Sequence, residues 1–373
     1  SPTVKVIYYV AMVILFWTCF SSFFVPYLAW GSDLTDDYNE RTVLRSFAYV
    51  FNQVGMCVGM VLPSITVDYC MNMGKTSQQS WQIVGMMTGI CGAAALLICA
   101  LTIKLDDKKD FVKPPKKKKE PLYKILPTMM KGYWEILKLK PVRTIIGASL
   151  TYLIANITFS SDRVFFMKFN LGMGDKAISA MLMVITIAGV CSVPFITKLA
   201  VKLEKKKVFM YGIGICGVLM MASRFVGVEG KLGLVAVCLF YAFANACYWQ
   251  LMPSMLYDVC EVEELISGEK HSGAVISLQA LSESLSIAVG VQMLGIILEM
   301  SGFNSELSVQ TELALTWVEN AFAFIPGAAM VLMAVIISRY PVSKEVFSKV
   351  MDALNRRKSG EEVDIKEFED IFG

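Results

Sequence analysis

The stretch FFVPYLAWGSDLTDDYNERTVLRS, residues 23–46, decides how the rest of the chain is interpreted. An apolar run breaks near Pro26, passes through several acids, and reaches Arg41 and Arg45 before the next apolar run begins. A soluble protein uses such a segment as a turn between two helices, whereas a membrane protein uses it as a charged loop between two spans. The composition of the whole chain distinguishes the two cases.

The chain is much more apolar than a soluble domain. Hydrophobic residues make up 55% of its 373 residues and charged residues 18%, against about 25% charged in soluble domains. A helix crosses the hydrocarbon core with about 20 apolar residues, and it satisfies its own backbone where lipid offers no partner. We therefore predict an all-α integral membrane protein. Its nine predicted spans are 4–29, 43–67, 81–103, 143–169, 176–200, 207–226, 233–257, 273–300 and 313–338.

Basic residues indicate the orientation of these spans, because cytoplasmic loops carry an excess of lysine and arginine. The loop before Arg143 contains the run Lys116–Lys119, and further basic residues lie at 202–207 and at 356–358. The loops on the opposite side are nearly free of them. We expect a multi-pass protein of the plasma membrane, the inner membrane of a bacterium, with a cytoplasmic C-terminus.

The long basic loop divides the chain into four parts. Residues 1–103 hold three spans, 104–142 form a cytoplasmic linker, 143–340 form a six-helix bundle, and 341–373 form a cytoplasmic tail. Within the linker, LYKILPTMMKGYWEILKLK has the spacing of an amphipathic helix at the membrane surface. Two six-helix halves joined by such a loop resemble the major facilitator superfamily. The resemblance implies that residues 1–103 are helices four to six and that three earlier helices are missing. A protein with nine spans is the alternative.

Two motifs make this resemblance narrower. The opening stretch is similar to the loop after the fourth helix of the glycoside–pentoside–hexuronide:cation symporters, the melibiose-permease-like branch. The matching residues are Pro26, Tyr27, Ala29, Asp33, Leu34, Thr35, Asp37, Glu40 and Arg41. A second family loop, after the seventh span, matches Pro253, Asp258, Glu261, Glu264, Leu265 and Gly268, with Met255 one position out of register. The resemblance implies cation-coupled symport of a sugar or glycoside by alternating access.

The charged residues of both motifs are candidates for a gate. Acids and arginines at cytoplasmic helix ends can pair across the two halves when the inner side is shut. Exposed pairs are worth roughly 0–1 kcal/mol each, so several can close a gate that still opens. Our gating candidates are Asp33, Asp37, Glu40, Arg41, Asp258 and Glu261, with Glu263 and Glu264 beside them. The alternative is a solvated loop whose charges only orient the helices.

Polar residues inside spans are costly and tend to face a cavity. Aromatic faces with carboxylate and amide partners suit a hydroxyl-rich ligand. The predicted substrate-binding residues are Tyr49, Asn52, Gln53, Asn156, Trp249, Gln250, Gln279 and Glu283. The alternative is that these residues form hydrogen bonds between helices. This alternative is weakest for Glu283, because an unpaired carboxylate within a span must be protonated, paired or solvated. Asp162 and Arg163 form a further pair that could simply neutralise one another.

The sequence departs from the family at the positions that the family uses for its ligands. The resemblance implies one hydroxyl of the cation site, at Ser21, but the sugar-binding aspartate expected two residues before Pro26 is Phe24. An expected lysine in the eleventh family helix aligns with Ser284. The coupling ion is therefore left open between Na⁺ and H⁺, and the sugar is left unnamed. The single histidine, His271, is expected to be a loop residue.

Three functional classes are consistent with these features. A transporter of a small hydroxylated solute leads, and an amphiphile or lysolipid transporter and a non-transporting sensor are the alternatives. An enzyme is not expected, since no phosphate loop, catalytic triad or metal cluster is evident, and no cofactor follows from the ten scattered cysteines. We expect a bilayer-embedded monomer with a small-molecule substrate and no nucleic-acid partner. We also expect that the nine-span piece does not transport alone.

Overall fold

The computed structural model describes residues 2–35, 37–102, 122–226, 230–304, 307, 309–361, 363 and 365–372. The predicted lysine run at 116–119 lies outside the described residues. The described chain is all helical. Its helices are α1 Pro2–Asp33, α2 Tyr38–Asn72, α3 Ser77–Thr102, α4 Leu122–Lys138, α5 Lys140–Phe165, α6 Asp175–Leu203, α7 Lys205–Val226, α8 Lys231–Ser267, α9 Ser272–Met300, α10 Glu312–Glu319, α11 Ile325–Ser338, α12 Lys344–Lys358 and α13 Lys366–Phe372.

The predicted spans correspond to helices in the structure, and the all-α fold is confirmed. Within the described residues, eight helices are long and apolar enough to cross a membrane. The one remaining predicted span, 43–67, lies within α2, a continuous helix that is not among those eight.

Two π-helical turns interrupt the regular helices. Phe166–Asn170 continues α5, and Asn320–Phe324 joins α10 to α11. Short π turns inside α-helices are uncommon and are often found at functional sites. Both turns contact α5 and α10, and Asn320–Phe324 also contacts α7 and α11.

The second family motif is helical, which corrects the prediction of a loop after the seventh span. Helix α8 continues through Pro253 and ends only at Gly268, whose φ of 82° provides a left-handed C-cap. Glycine adopts this conformation without the steric cost that a side chain adds. Between Pro253 and Gly268 the chain has no further helix breaker, and its acids are partnered within the fold. The helix therefore extends ten residues past the predicted end at 257.

The chain separates into two compact units. The first contains residues 1–49 and 129–373, and the second contains residues 50–128. In the first unit, α5, α8, α9 and α11 pack side by side, and α7 packs against α8 and α11. The predicted boundaries at 103, 142 and 340 are drawn from charge and hydropathy rather than from packing, and they stay predictions.

Close backbone contact holds α7 against α11. A Cβ on Gly217 would lie 2.7 Å from the carbonyl oxygen of Gly327, and a Cβ on Gly327 would lie 2.7 Å from that of Gly217. Small residues allow membrane helices to approach closely, so that van der Waals contacts between backbones stabilise the pair. The two glycines are therefore a packing requirement of the six-helix part.

Candidate functional site

Arg41 is the centre of a buried ion-pair cluster, which we define as Arg41, Lys205, Asp258 and Glu261. Its side chain is fully buried, with one terminal nitrogen 3.2 Å from Asp258 Oδ1 and the other 2.8 Å from Glu261 Oε1. Its Nε donates to the carbonyl of Thr35 at 3.0 Å. The arginine thus joins the start of α2 to α8, using the planar fork of donors that lysine lacks.

Lys205 completes the cluster from the start of α7. Its Nζ lies 2.6 Å from Asp258 Oδ2, donates to the hydroxyl of Ser254 at 3.1 Å, and lies 3.7 Å from the centroid of the Tyr38 ring. The side chain is fully buried. Two cations and two carboxylates therefore balance one another in a site that excludes water.

Glu204 sets the direction of Lys205. Its φ of 77° is in the left-handed region, so α6 ends abruptly and α7 begins at the next residue. A residue with a side chain costs roughly 1–2 kcal/mol there. The Glu204 carboxylate compensates locally, because it accepts from the backbone N–H of Lys344 at 3.2 Å and pairs with Lys207 at 3.1 Å.

The cluster keeps Arg41 charged. Burial alone would lower the pKa of Arg41, but the Asp258 and Glu261 carboxylates outweigh burial and raise it above its ordinary value. Removing one partner from a buried pair leaves an uncompensated charge and costs roughly 3–5 kcal/mol. The sequence-based expectation of weak, exposed pairs is wrong for Arg41, Asp258 and Glu261, since all three side chains are at most 4% exposed.

The other predicted gating acids have local partners. Asp37 Oδ1 accepts from the backbone N–H of Asn39 at 2.8 Å and of Glu40 at 2.9 Å, as an N-cap does. Glu40 Oε2 accepts from the hydroxyl of Thr35 at 2.6 Å. These contacts fix the start of α2 and so position Arg41. The side chain of Asp33 is not described.

The tail helix α12 lies directly beside the cluster. Phe347 is buried, its ring centroid lies 5.4 Å from the Arg41 guanidinium carbon, and its ring is tilted against Tyr38 with the centroids 5.6 Å apart. Ser343 caps the helix by accepting from the N–H of Val346. The tail after residue 340 therefore contains a helix that is part of the surroundings of Arg41.

A neutral polar layer lies next to the cluster. The hydroxyl of Ser46 on α2 donates to Gln250 Oε1 at 3.1 Å and lies 2.7 Å from the hydroxyl of Thr197 on α6. Gln250 is fully buried, and its amide nitrogen donates to the carbonyl of Ala246. Gln250 therefore links helices in this structure. Its predicted role in substrate binding stays a prediction.

A second group of polar residues lies between α5, α8 and α9, and we call it the polar network. Tyr152 and Tyr248 stack with centroids 4.1 Å apart. The Gln279 amide donates to Ser149 at 2.7 Å and to Glu283 Oε1 at 3.2 Å, and Ser149 is also hydrogen-bonded to the Tyr248 hydroxyl. The network thus presents a half-buried carboxylate beside stacked aromatic rings.

Two asparagines extend the network along α5 and α8. The Asn156 amide donates to Asn245 Oδ1 at 2.7 Å, and the Tyr152 hydroxyl donates to the same oxygen at 3.4 Å. The hydroxyl of Tyr49 on α2 is buried close to Asn245 but makes no hydrogen bond with a described residue. A buried polar group without a partner costs free energy.

Among the other predicted substrate- and cation-binding residues, one packs against the network, one lies on α1 and two lie in the second unit. Trp249 packs edge-on against Tyr248 and is half-buried. Ser21 lies on an exposed face of α1. Asn52 and Gln53 belong to the second unit, where Asn52 is exposed and Gln53 half-exposed. Their assignments stay predictions.

His271 lies beside the end of α8. Its Nδ1 is 3.0 Å from Glu263 Oε1, and its backbone N–H donates to the same carboxylate at 3.3 Å. A cavity of about 530 Å³ opens next to this pair, between α4 and the facing ends of α8 and α9, with Tyr133 and Ile136 in its wall. The pair holds the turn between α8 and α9.

Sequence reasoning missed Lys205 and Phe347. Lys205 belongs to a run with Lys206 and Lys207, and nothing in the letters distinguishes the buried lysine from its neighbours. The apolar spacing of α12 does predict a buried face, which could have indicated Phe347. It does not indicate what that face covers.

The fold and the two sites define a class of protein. Several apolar helices, a polar network within them and a buried ionic contact between helices are the attributes of a multi-pass membrane transporter. Residues 1–344 match the model of the MFS/sugar transport protein family, so the chain belongs to that family.

Curated relatives agree with this assignment. An uncharacterized symporter of Synechocystis is 21% identical, over 96% of this chain and 78% of its own length. A glucuronide carrier protein homolog of Escherichia coli is 24% identical, over 59% of this chain and 48% of its own. YagG of Escherichia coli, named as a glycoside/cation symporter, is 22% identical over 91% and 70%. At these identities, the names of the relatives indicate the class of protein to which the relatives belong. Each name describes the activity of that relative only.

Proposed function

We propose that this protein is a secondary active transporter that carries a sugar or glycoside together with a cation, Na⁺ or H⁺, by alternating access. The polar network carries the proposal. A pocket for a hydroxylated solute needs aromatic faces for the ring and a few convergent polar groups for the hydroxyls. Tyr152 and Tyr248 provide stacked rings, and Glu283, Gln279 and Asn245 provide acceptors and donors within the same helices.

Tyr49 adds a contribution from α2 to the same site. Its buried hydroxyl lies close to Asn245 without completing a hydrogen bond. A solute hydroxyl between these two residues would satisfy both. The site would then include residues from α2 as well as from the six-helix part, as alternating access between two halves requires.

The ion-pair cluster is the proposed gate. It joins the start of α2 to α7 and α8 through Arg41, Lys205 and Asp258, all excluded from water in this conformation. Opening requires each charge to be hydrated or paired again, because a charge left buried and alone is costly. The conformation described here is therefore the one in which this side is closed.

We further propose that the protein resides in the bacterial inner membrane as a monomer, with the gate and the tail in the cytoplasm. The basic segments at 202–207 and 356–358 support this orientation through the positive-inside rule. The role is transport without catalysis. The names of the relatives, a glycoside/cation symporter and a glucuronide carrier homolog, support the substrate class.

The test is uptake by the full-length gene product in membrane vesicles. A panel of labelled glycosides, pentoses and hexuronates is offered under an imposed Na⁺ or H⁺ gradient. We expect gradient-driven accumulation of at least one of these sugars. Folded protein that accumulates none of them under either gradient would contradict the proposal and favour the amphiphile transporter or the sensor.

Glu283→Gln tests the site within the same assay. Hydrogen bonds to charged groups are worth about 1.5–3 kcal/mol, so we expect kcat/KM for uptake to fall roughly 10- to 100-fold. Glu299→Gln is the matched control, because Glu299 lies on the same helix with an exposed side chain. Equal uptake by the two variants would remove Glu283 from the substrate site.

A further inference from the structure

Asp162 on α5 is a fully buried carboxylate in an aromatic surrounding. Phe159 and Phe166 lie one turn before and after it, on the same face of the helix. Phe322 stacks on both, with ring centroids 5.0 Å from Phe159 and 4.2 Å from Phe166, and Tyr241 stacks on Phe159 at 3.8 Å. We call these four rings the aromatic cage.

Among the residues that the structure describes, none donates a hydrogen bond to either Asp162 oxygen. The pairing with Arg163 that the sequence left open is not formed in this conformation: Arg163 lies beside Cys238 and Tyr241 on α8 instead. An isolated ionised carboxylate in such a site would cost several kcal/mol. The group is consequently a neutral acid here.

The charged and titratable groups on the packed elements have other partners or lie elsewhere. On α8, Tyr241 is hydrogen-bonded to Ser160 at 3.1 Å and Cys238 is buried, and the other ionisable residues of this helix are Lys231 at its start and those from Cys247 onward. On α10, Glu319 lies 3.2 Å from Arg224, and Glu312 is exposed in the first turn. Helix α11 carries no ionisable residue. On α9, Glu283 belongs to the polar network and Glu299 is exposed. A proton on the carboxylate itself is what neutralises Asp162.

We propose that Asp162 is a proton-binding site of the transport cycle, so that the ion coupled to solute movement is H⁺. The inference rests on the proposed function and names the coupling ion. Hard metal cations are bound through several oxygen ligands at once, whereas a proton needs one oxygen. Asp162 is a single acid among aromatic rings, which suits the proton.

The two π turns are the positions at which the aromatic cage around Asp162 can rearrange. Phe166 belongs to one turn and Phe322 to the other, and their rings are nearly parallel, at 9°. The cage also adjoins the polar network, since Phe159 lies one turn from Asn156 on the same face of α5 and Tyr241 lies beside Asn156. A rearrangement around bound solute can reach Asp162 through Phe159. Water that then enters the cage takes the proton from the carboxylic O–H and leaves a carboxylate, and the reverse step reloads it.

Asp162→Asn in the full-length gene product separates coupling from solute movement. The amide of asparagine has nearly the same shape as the carboxylic acid, but it does not ionise at the pH of a transport assay. We expect accumulation driven by an imposed H⁺ gradient to fall at least tenfold. Counterflow exchange, which needs no net proton movement, should stay within about threefold of the wild type. Asp352→Asn is the matched control, since Asp352 is exposed on α12, and it should change neither quantity.

An infrared spectrum of the purified protein tests the protonation directly. The wild type should show a carbonyl band of a protonated carboxylic acid that is missing in Asp162→Asn. Absence of that band from the difference spectrum would overturn the inference, as would wild-type accumulation driven by Na⁺ alone, or H⁺-driven accumulation that is unchanged in the variant.

If Asp162→Asn does not fold, Asp162→Glu keeps an ionisable group, and we expect its pH profile of accumulation to shift. An unshifted profile would count against the site. Failure to move any sugar contradicts the proposed function but leaves the infrared test in place.

Discussion

Arg41 shows how one side chain joins three parts of the chain. Its guanidinium contacts Thr35 before α2, and Asp258 and Glu261 on α8, and it lies beside Phe347 of the tail helix. A lysine carries the same charge but cannot contact two carboxylates and a carbonyl in one plane. The geometry of the fork, rather than the charge, is what the cluster requires.

Arg41→Lys should therefore loosen the cluster without leaving a buried charge unpaired. Cys260, 1% exposed and located between Asp258 and Glu261, provides the readout. In a variant where Cys260 is the only cysteine, we expect maleimide to label it about tenfold faster or more in Arg41→Lys. A loss of about 1.4 kcal/mol from the closed state corresponds to that factor.

Arg339→Lys is the control for this measurement, because Arg339 is exposed at the end of α11. It should label at the rate of the parent protein. If Arg41→Lys also labelled at that rate, the cluster would not control access to this region.

The sequence indicates Arg41 but not its whole surroundings. A charged motif at the end of an apolar run is recognisable, because charges avoid lipid and mark helix ends. The contacts with Asp258 and Glu261 join residues more than 200 positions apart, and Lys205 is buried through the left-handed turn at Glu204. Such details depend on tertiary packing, which local pattern does not contain.

Among the helices, α7 and α11 are in direct backbone contact. Gly217 and Gly327 bring their backbones together, so any side chain at either position must push the helices apart. Overpacking of a close contact costs about 1–3 kcal/mol. The helices themselves are predictable from hydropathy, but this contact is not, because many glycines in apolar helices have open space around them.

Gly217→Ala should lower the thermal stability of the purified protein, with a cost of about 2 kcal/mol. Gly295→Ala is the matched control on α9, because a Cβ there meets nothing within 4 Å. Alanine favours a helix over glycine by about 1 kcal/mol, so the control should melt at the same or a higher temperature. Equal melting of both variants would show that α7 and α11 can separate without cost.

At the scale of the whole molecule, membrane physics makes the architecture predictable and leaves the chemistry open. Long apolar helices are required wherever lipid surrounds the backbone, so the composition and nine apolar blocks identify the class. The sequence does not predict the extension of α8 to Ser267 or the π turns at Phe166–Asn170 and Asn320–Phe324. No local residue pattern distinguishes the long α8 from a helix that ends at 257, or a π turn from regular α-helix. They matter because they position the cluster and the aromatic cage.

In the proposed mechanism, the solute and an ion cross the membrane together. The direct measurement is ion entry into de-energised vesicles that contain the full-length protein when a transported sugar is added outside. We predict that downhill sugar entry carries H⁺ or Na⁺ inward, detected as external alkalinisation or as uptake of labelled Na⁺. Sugar entry with no movement of either ion would contradict the account and make the protein a uniporter.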